Sequence, residues 1–404
     1  MPMLQPFREE FNARFKPSDY RGLLARLKET TRSEIQFRVC ETPCFFPEAL
    51  LAEMSETGKV LTRQLVDSAE YFERAGEAIP AKYNAANEPR QPNFLAVDFG
   101  LVRRADGSLE PKLVEMQAFP SLFGYQDCLT RAYRESFGLD GSLKSYLGGH
   151  TEESYWRLLG RTILGGHAPE NVVLLELAPE TQKTLPDFHV YEDRLGIRTV
   201  DIRAVRKAGR RLLYERDGQW VPIERIFNRA IADELERKAI ELPFDYREEL
   251  DVEWAGHPNW YFRVSKFSLP FLRHSSVPKA VFLDEWFAGG GRDALPAQRD
   301  QVILKPLYSF AGLGIQFGPT DAGLQSIPET ERRNYLLQER VSFDSIIETL
   351  CGPTRAEIRI LYVWPERGEL EAVMSLVRMG RGLMMGVDQN RDQQWVGGSA
   401  GFFR

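Results

Sequence analysis

Cysteine and histidine are scarce in this 404-residue chain, and that scarcity closes several routes to function. Four cysteines (Cys40, Cys44, Cys128 and Cys351) do not make a disulfide scaffold and fit the reduced thiols of a cytoplasmic protein. Cys40 and Cys44 stand four apart with no second Cys or His pair near them, so buried thiols are favoured there over zinc. The five histidines (His150, His167, His189, His257 and His274) are scattered and form no HxH or HxxxH pair. No Ser/His/Asp or Cys/His constellation stands out. Long apolar runs are missing too. None approaches the roughly 18 residues needed to span a bilayer, and "MPMLQPFREEF" lacks the apolar stretch of a secretory leader. Positive charge is not in excess: 52 Lys and Arg against 58 Asp and Glu give a net charge of −6. That argues against a general nucleic-acid or anionic-membrane binder, although a local basic cleft stays open. There is no internal repeat and no low-complexity tract.

What is present is ordinary globular material, 43% hydrophobic and 27% charged. At this length two or three lobes are expected rather than one core. Residues 1–90 read as mainly helical, with Phe7, Phe11 and Phe15 recurring every four residues. Residues 91–160 open with two β-rich runs around Ala105-Asp106-Gly107-Ser108, a hairpin signal, followed by helices. Residues 161–240 read as strand, helix, strand: "NVVLLEL" is a continuous apolar run, as buried parallel strands are, and "TLPDFHVYEDRLG" is a helix ended by Gly196. Residues 241–404 carry short strands, a glycine loop and a hairpin through Glu366 to Glu369. The expected class is α/β, with α+β lobes.

Four stretches carry chemistry. In "VILKPLYSFAGLGI", Lys305 lies inside an apolar strand ahead of Ser309, Gly312 and Gly314. A lysine there needs an anion or carboxylate, and glycines let backbone N–H groups wrap phosphate oxygens. A hairpin with a snorkelling lysine is the other reading. The lysine precedes the glycines, which is not the Walker order. In "YLLQERV", the strand end at Gln338, Glu339, Arg340 and Val341 either binds a base and ribose or is merely solvated. In the 357–379 hairpin, a turn between Arg367 and Gly368 sets Glu357 opposite Arg378, with Arg359 on the same face. This is either a salt bridge or a pair of arginines aimed at phosphate. In the earlier hairpin, a turn between Asp106 and Gly107 sets Asp98 opposite Glu115, with Gln117 on their face. Two facing acids repel unless a cation or proton lies between them, and oxygen-rich sites suit magnesium. Two acids held apart on a wet face is the alternative. Arg229, beside Asp233, sits at a strand end of the α/β region, either clamping a substrate carboxylate or closing an ion pair.

Together these segments resemble the ATP-grasp carboxylate ligases. "VILKPLYSFAGLGI" is similar to the family's phosphate-binding lysine and small-residue loop, "YLLQERV" to its adenine hinge, and "HPNWYFRVSKFSLPFLRHSSVPKAVFL" to the segment carrying its other nucleotide lysine, here Lys266. "EIRILYVW", "LVRMGRG" and "NRDQQWVGG" resemble its Glu/Arg strands and terminal Asn…Gly-Gly, with Asn390 on phosphate or metal. "FLAVDFGLVRRADGSLEPKLVEMQAFPSL" resembles its metal hairpin, which normally comes last. The order here resembles the glutathionylspermidine-synthase-like group and eukaryotic glutathione synthetase, over residues 90–404. The resemblance implies a circularly permuted ATP-grasp fold with a small Rossmann-like pre-ATP-grasp lobe. It implies ATP held by Lys266, Lys305, Ser309, Gly312, Gly314, Gln338, Glu339, Val341 and Asn390, and magnesium held by Asp98, Glu115 and Gln117. It also implies carboxylate and amine substrates joined through an acyl phosphate, with Arg378 and Arg359 as the catalytic arginines and Arg229 on the substrate. Gln117 departs from the family's Asn, which leaves a catalytically weakened nucleotide-binding protein as the alternative. Homodimerisation stays open.

Overall fold

The computed structural model of the chain describes residues 3–291, 293, 295–308, 313–385 and 392–404. The first segment forms helices α1 (Gln5–Arg14), α2 (Pro17–Thr31), α3 (Glu48–Val66) and α4 (Ala69–Glu77). Pro6 and Pro17 sit in the first turns of α1 and α2, where a missing N–H costs nothing. Ser68 caps α4 by accepting from Tyr71 N. Between α2 and α3 lies a strand that the helical periodicity does not announce, β1 (Cys44–Phe46).

Strands β2 (Phe94–Arg103) and β3 (Leu109–Gln117) follow, then helices α5 (Phe123–Phe137) and α6 (Glu152–Leu164). The next stretch is β4 (Val172–Glu176), α7 (Leu185–Leu195), β5 (Arg198–Asp201), β6 (Arg206–Ala208), β7 (Arg211–Arg216), β8 (Gln219–Ile223), β9 (Arg225–Asn228) and β10 (Glu253–Ala255). The last is β11 (Ala280–Phe282), β12 (Val302–Pro306), β13 (Gln316–Phe317), β14 (Tyr335–Glu339), β15 (Arg355–Val363), β16 (Glu371–Gly380) and β17 (Gly397–Phe403). No helix among the described residues is long and apolar enough to cross a membrane.

The architecture is mixed α/β, and the described residues form four sheets. A parallel sheet, β10-β9-β4-β5, forms the α/β lobe. Its β4 is buried at every position, as the apolar run predicts, and Gly196 ends α7 at φ 72°. β10 extends this lobe to Ala255, beyond the expected limit at 240. A three-stranded antiparallel sheet, β6-β7-β8, turns between β7 and β8 at Asp217 and Gly218, both at positive φ. A second antiparallel sheet is ordered β11-β14-β12-β13.

The largest sheet, ordered β1-β17-β16-β15-β2-β3, gathers strands from both ends of the chain. The segment expected to be mainly helical thus also contributes an edge strand, with Cys44 pairing in parallel with Gly401. Cys40 and Cys44 are fully buried, each thiol 3.5 Å from Met379 Sδ, and burial pushes both thiols up in pKa. One face of β2, Leu95, Val97, Phe99 and Leu101, packs on Leu50, Leu51 and Met54 of α3. The other face begins with Phe94 and Ala96, covered by Phe123 and Tyr125 of α5 and by Tyr155 and Leu158 of α6. The N-terminus of α5 is capped from a distance: buried Asp187 of α7 accepts from Leu122 N at 2.9 Å and Tyr125 N at 2.8 Å. Two strand positions past Ala96, on the same face, stands Asp98. There the apolar face gives way to charge.

Candidate functional site

Alternation builds the charged wall. On β15, Arg355, Glu357 and Arg359 line a cavity, while Ala356, Ile358 and Ile360 belong to the core behind the sheet. The register then sets two cross-strand rows. In one, Arg359 lies opposite Asp98, and Asp98 opposite Glu115. In the other, Glu357 lies opposite Arg378 on one side and Gly100 on the other. Gly100 leaves room there for the Phe343 ring, which a Cβ would meet at 2.1 Å.

The Asp98–Glu115 pairing has an unforeseen origin. The turn is not the two-residue form: Arg103 pairs with Leu109, and residues 104–108 form the loop, closed by Arg104 N donating to Ser108 O. From Phe99 outward the register is therefore one step off the expected one, and a bulge after Asp98 restores it. Val114 is the extra residue, and its carbonyl accepts from Lys305 Nζ at 3.3 Å.

The cations between the acids are guanidinium groups. Arg359 donates from Nε to Asp98 Oδ1 at 2.6 Å and from Nη2 to Asp98 Oδ2 at 2.7 Å. Arg378 Nη2 also bonds Asp98 Oδ2, and lies 2.7 Å from Glu357 Oε1. Gln117, with its amide oxygen turned to the guanidinium, accepts from Arg359 Nη1 at 3.2 Å and from Nη2. Glu115 stands 3.9 Å from both Arg359 Nη2 and Lys266 Nζ. Burial alone would raise the Asp98 carboxyl, but Arg359 and Arg378 outweigh it and hold the group below the usual range. Glu357 goes the other way: burial pushes it up to about 7, with Arg378 opposing. Burial lowers the Lys305 ammonium to about 8, with Glu115 pulling it back up. Four cations, Lys266, Lys305, Arg359 and Arg378, thus meet three carboxylates, so the cluster is balanced to accept an anion.

The cavity in front of this wall measures about 940 Å³. Its opposite side comes from β12 and β14, where Ile303 lies opposite Gln338 and two residues from Lys305. Gln338 is almost fully buried, and its Oε1 has no hydrogen-bond partner. Val341, Phe343, Ile315 and Phe317 add apolar lining. Lys266, at the head of a short 3₁₀ helix, faces Lys305 from the third side. Gly314 turns the chain from β12 back toward β13 at φ 75°, where a Cβ would meet Pro306 at 2.7 Å. Glu339 is a correction: it does not line the cavity, since alternation turns it away from Gln338, and its carboxylate accepts from Lys279 N at 3.2 Å. Ser309, Gly312 and Asn390 lie outside the described residues.

Arg229 lines the far end of the cavity, in the α/β lobe. It is not paired with Asp233, which accepts from Tyr261 Oη at 2.9 Å. Arg229 instead donates to Pro120 O and to Thr184 Oγ1 at 3.3 Å, and its guanidinium lies over Phe119 and Phe188. Its Nε has no partner. Beside it is Glu176, buried at the end of β4, whose carboxyl burial pushes up to about 8. Glu176 is absent from the expected site residues, although a carboxylate closing an all-apolar strand is a signal the residues carry.

The two implied groups fit differently. Magnesium takes oxygen ligands, but both Asp98 oxygens and the Gln117 amide are engaged by guanidinium groups, so the expected set does not fit a metal in this arrangement. Among the described residues, no cluster of three His, Cys, Asp or Glu side chains is arranged to hold an ion. A nucleoside triphosphate does fit. The lysines suit phosphate, and the orphan Gln338 Oε1 is an acceptor for an exocyclic amine such as adenine carries.

No family model and no curated protein matches the chain. Among solved structures, a glutathione synthetase-like effector from Globodera pallida, determined in its apo form, matches with a TM-score of 0.61. The match covers 97% of this chain and 99% of that one, at 13% sequence identity. The fold is glutathione synthetase-like. At that identity the likeness speaks for the fold alone.

Proposed function

We propose that the protein is an ATP-dependent carboxylate–amine ligase of the ATP-grasp type, ADP-forming, with its chain order circularly permuted. The observation that carries this reading is one cavity bordered by Lys266, Lys305 and Arg378 at one end, Gln338 in an apolar slot, and the α/β lobe with Arg229 beyond. The permutation is supported by sheet order, which sets the early β2–β3 hairpin against β15 from the end of the chain. ATP supplies a phosphoryl group that activates a carboxylate as an acyl phosphate. Lys266 and Lys305 hold phosphate oxygens, and Arg378 stabilises the charge that develops as the amine displaces phosphate from the acyl carbon. Glu357, beside Arg378, is placed to take up the proton that the amine gives up.

The test is release of ADP and phosphate with panels of carboxylate and amine pairs, together with trapping of the acyl phosphate by hydroxylamine. Hydroxamate that disappears in Lys305→Ala supports the reading, and ATP turnover surviving unchanged in Lys305→Ala overturns it. A second reading, nucleotide binding without ligation, is favoured by the Arg359 bonds to Asp98 and Gln117. Nucleotide binding without hydroxamate across the panel would select it.

A further inference from the structure

We propose that Arg359 stands in for a divalent cation at this site, its guanidinium holding the three side chains that a metal would otherwise have gathered. The inference rests on reading the cavity as a phosphate site. Asp98 gives both carboxylate oxygens to Arg359, at 2.6 and 2.7 Å. Gln117 gives its amide oxygen to the same guanidinium, and Glu115 faces it at 3.9 Å. A dication serving these oxygens would need to lie between 2.0 and 2.6 Å from each, roughly the place the guanidinium takes. Two cations cannot share it.

The arrangement is locked by position. Arg359 is held on β15 between Ile358 and Ile360, both fully buried in the core, and is itself only 8% exposed. Moving it out would leave Asp98, 1% exposed, with Arg378 alone. A guanidinium also does not titrate in the working range of proteins, so pH does not vacate the place. It carries one positive charge where magnesium carries two. The missing charge is supplied by Lys266, Lys305 and Arg378 around the same cavity. Phosphate binding here therefore draws on fixed cations and does not depend on a resident ion.

The experiment uses the full chain and Mn²⁺ as a paramagnetic probe, without nucleotide. Wild-type protein is expected to leave the free Mn²⁺ resonance unchanged. Arg359→Met, which removes the guanidinium and frees Asp98 Oδ1, the Gln117 amide oxygen and the face of Glu115, is expected to gain one Mn²⁺ site. Circular dichroism checks the fold, and Arg359→Gln, which also removes the charge, carries the same measurement if Arg359→Met does not fold. Stoichiometric Mn²⁺ binding by the wild type, or a folded Arg359 variant that gains none, overturns the proposal. Titration with a fluorescent ATP analogue adds a second readout: affinity in EDTA within about twofold of that in magnesium supports the proposal, and a tenfold loss, about 1.4 kcal/mol, overturns it. Absence of any nucleotide binding would defeat the functional reading, while the Mn²⁺ arms would still decide this one.

Discussion

At the sheet end of the cavity Asp98, Arg359, Arg378 and Glu357 interlock in two rows, and each guanidinium bonds a named carboxylate. At the lobe end Glu176 and Arg229 are buried as deeply but bond backbone and hydroxyl groups instead of opposite charges: Glu176 accepts from Leu177 N, and Arg229 donates to Pro120 O and Thr184 Oγ1. Register explains the contrast. Antiparallel neighbours bring opposite charges face to face, so the sheet end neutralises itself. Parallel strands end side by side, and what closes their ends must come from elsewhere. The sheet end thus offsets most of its charge within the protein and the lobe end does not, while each keeps one guanidinium Nε, of Arg378 and of Arg229, without a partner.

The largest expected break in this comparison is Asp98→Asn. It leaves two buried guanidinium groups facing an amide, and should cost about 3–5 kcal/mol of stability in urea denaturation. Glu176→Gln, at the lobe end, should leave stability unchanged or raise it. Next comes Lys305→Met. Removing a buried cation that burial already disfavours should not destabilise the fold, while the affinity for a triphosphate should fall at least about tenfold in calorimetry, about 1.4 kcal/mol. Arg229→Lys should lower stability by about 1–2 kcal/mol through the lost stacking and fork, and leave the affinity for ATP untouched. The smallest effect is on pH dependence. Glu357 and Glu176 both titrate higher folded than unfolded, so the folded state holds the extra protons. Their contribution is full at acid pH and is lost as pH rises through about 7 and about 8, respectively. Melting temperature should decline across that window, and the double variant Glu176→Gln, Glu357→Gln should flatten the decline.

Much of the sheet was legible in the residues because alternation is local. Asp98 facing Glu115, and Glu357 facing Arg378, both follow from counting outward from a turn. The routes to both pairs were nevertheless wrong by one residue near the turn, and each was set right by a bulge, at Val114 and at Val373, which no pattern of side chains signals. The identity of the cation was not legible either. Arg359 lies 261 residues from Asp98, and counting within one hairpin cannot say which distant strand will pair beside it. The α/β lobe was read from β4 and α7, but β10 was missed because three residues carry too little periodicity. β1 was missed for the same reason, and Glu339 was drawn into the site with Gln338 although strand alternation separates the two.

The pairing of β1 with β17 has a consequence for the order of events in folding. Cys44 and Phe46 find their partners only at Gly401 and Phe403. At roughly 5–20 residues synthesised per second, the N-terminal strand waits on the order of 20–70 s for its neighbour to be made. Until then the β15–β16 hairpin can dock on β2, but its outer edge stays bare. The wall of charge can therefore be assembled before the sheet is sealed, and sealing comes as the last segment of the sheet arrives.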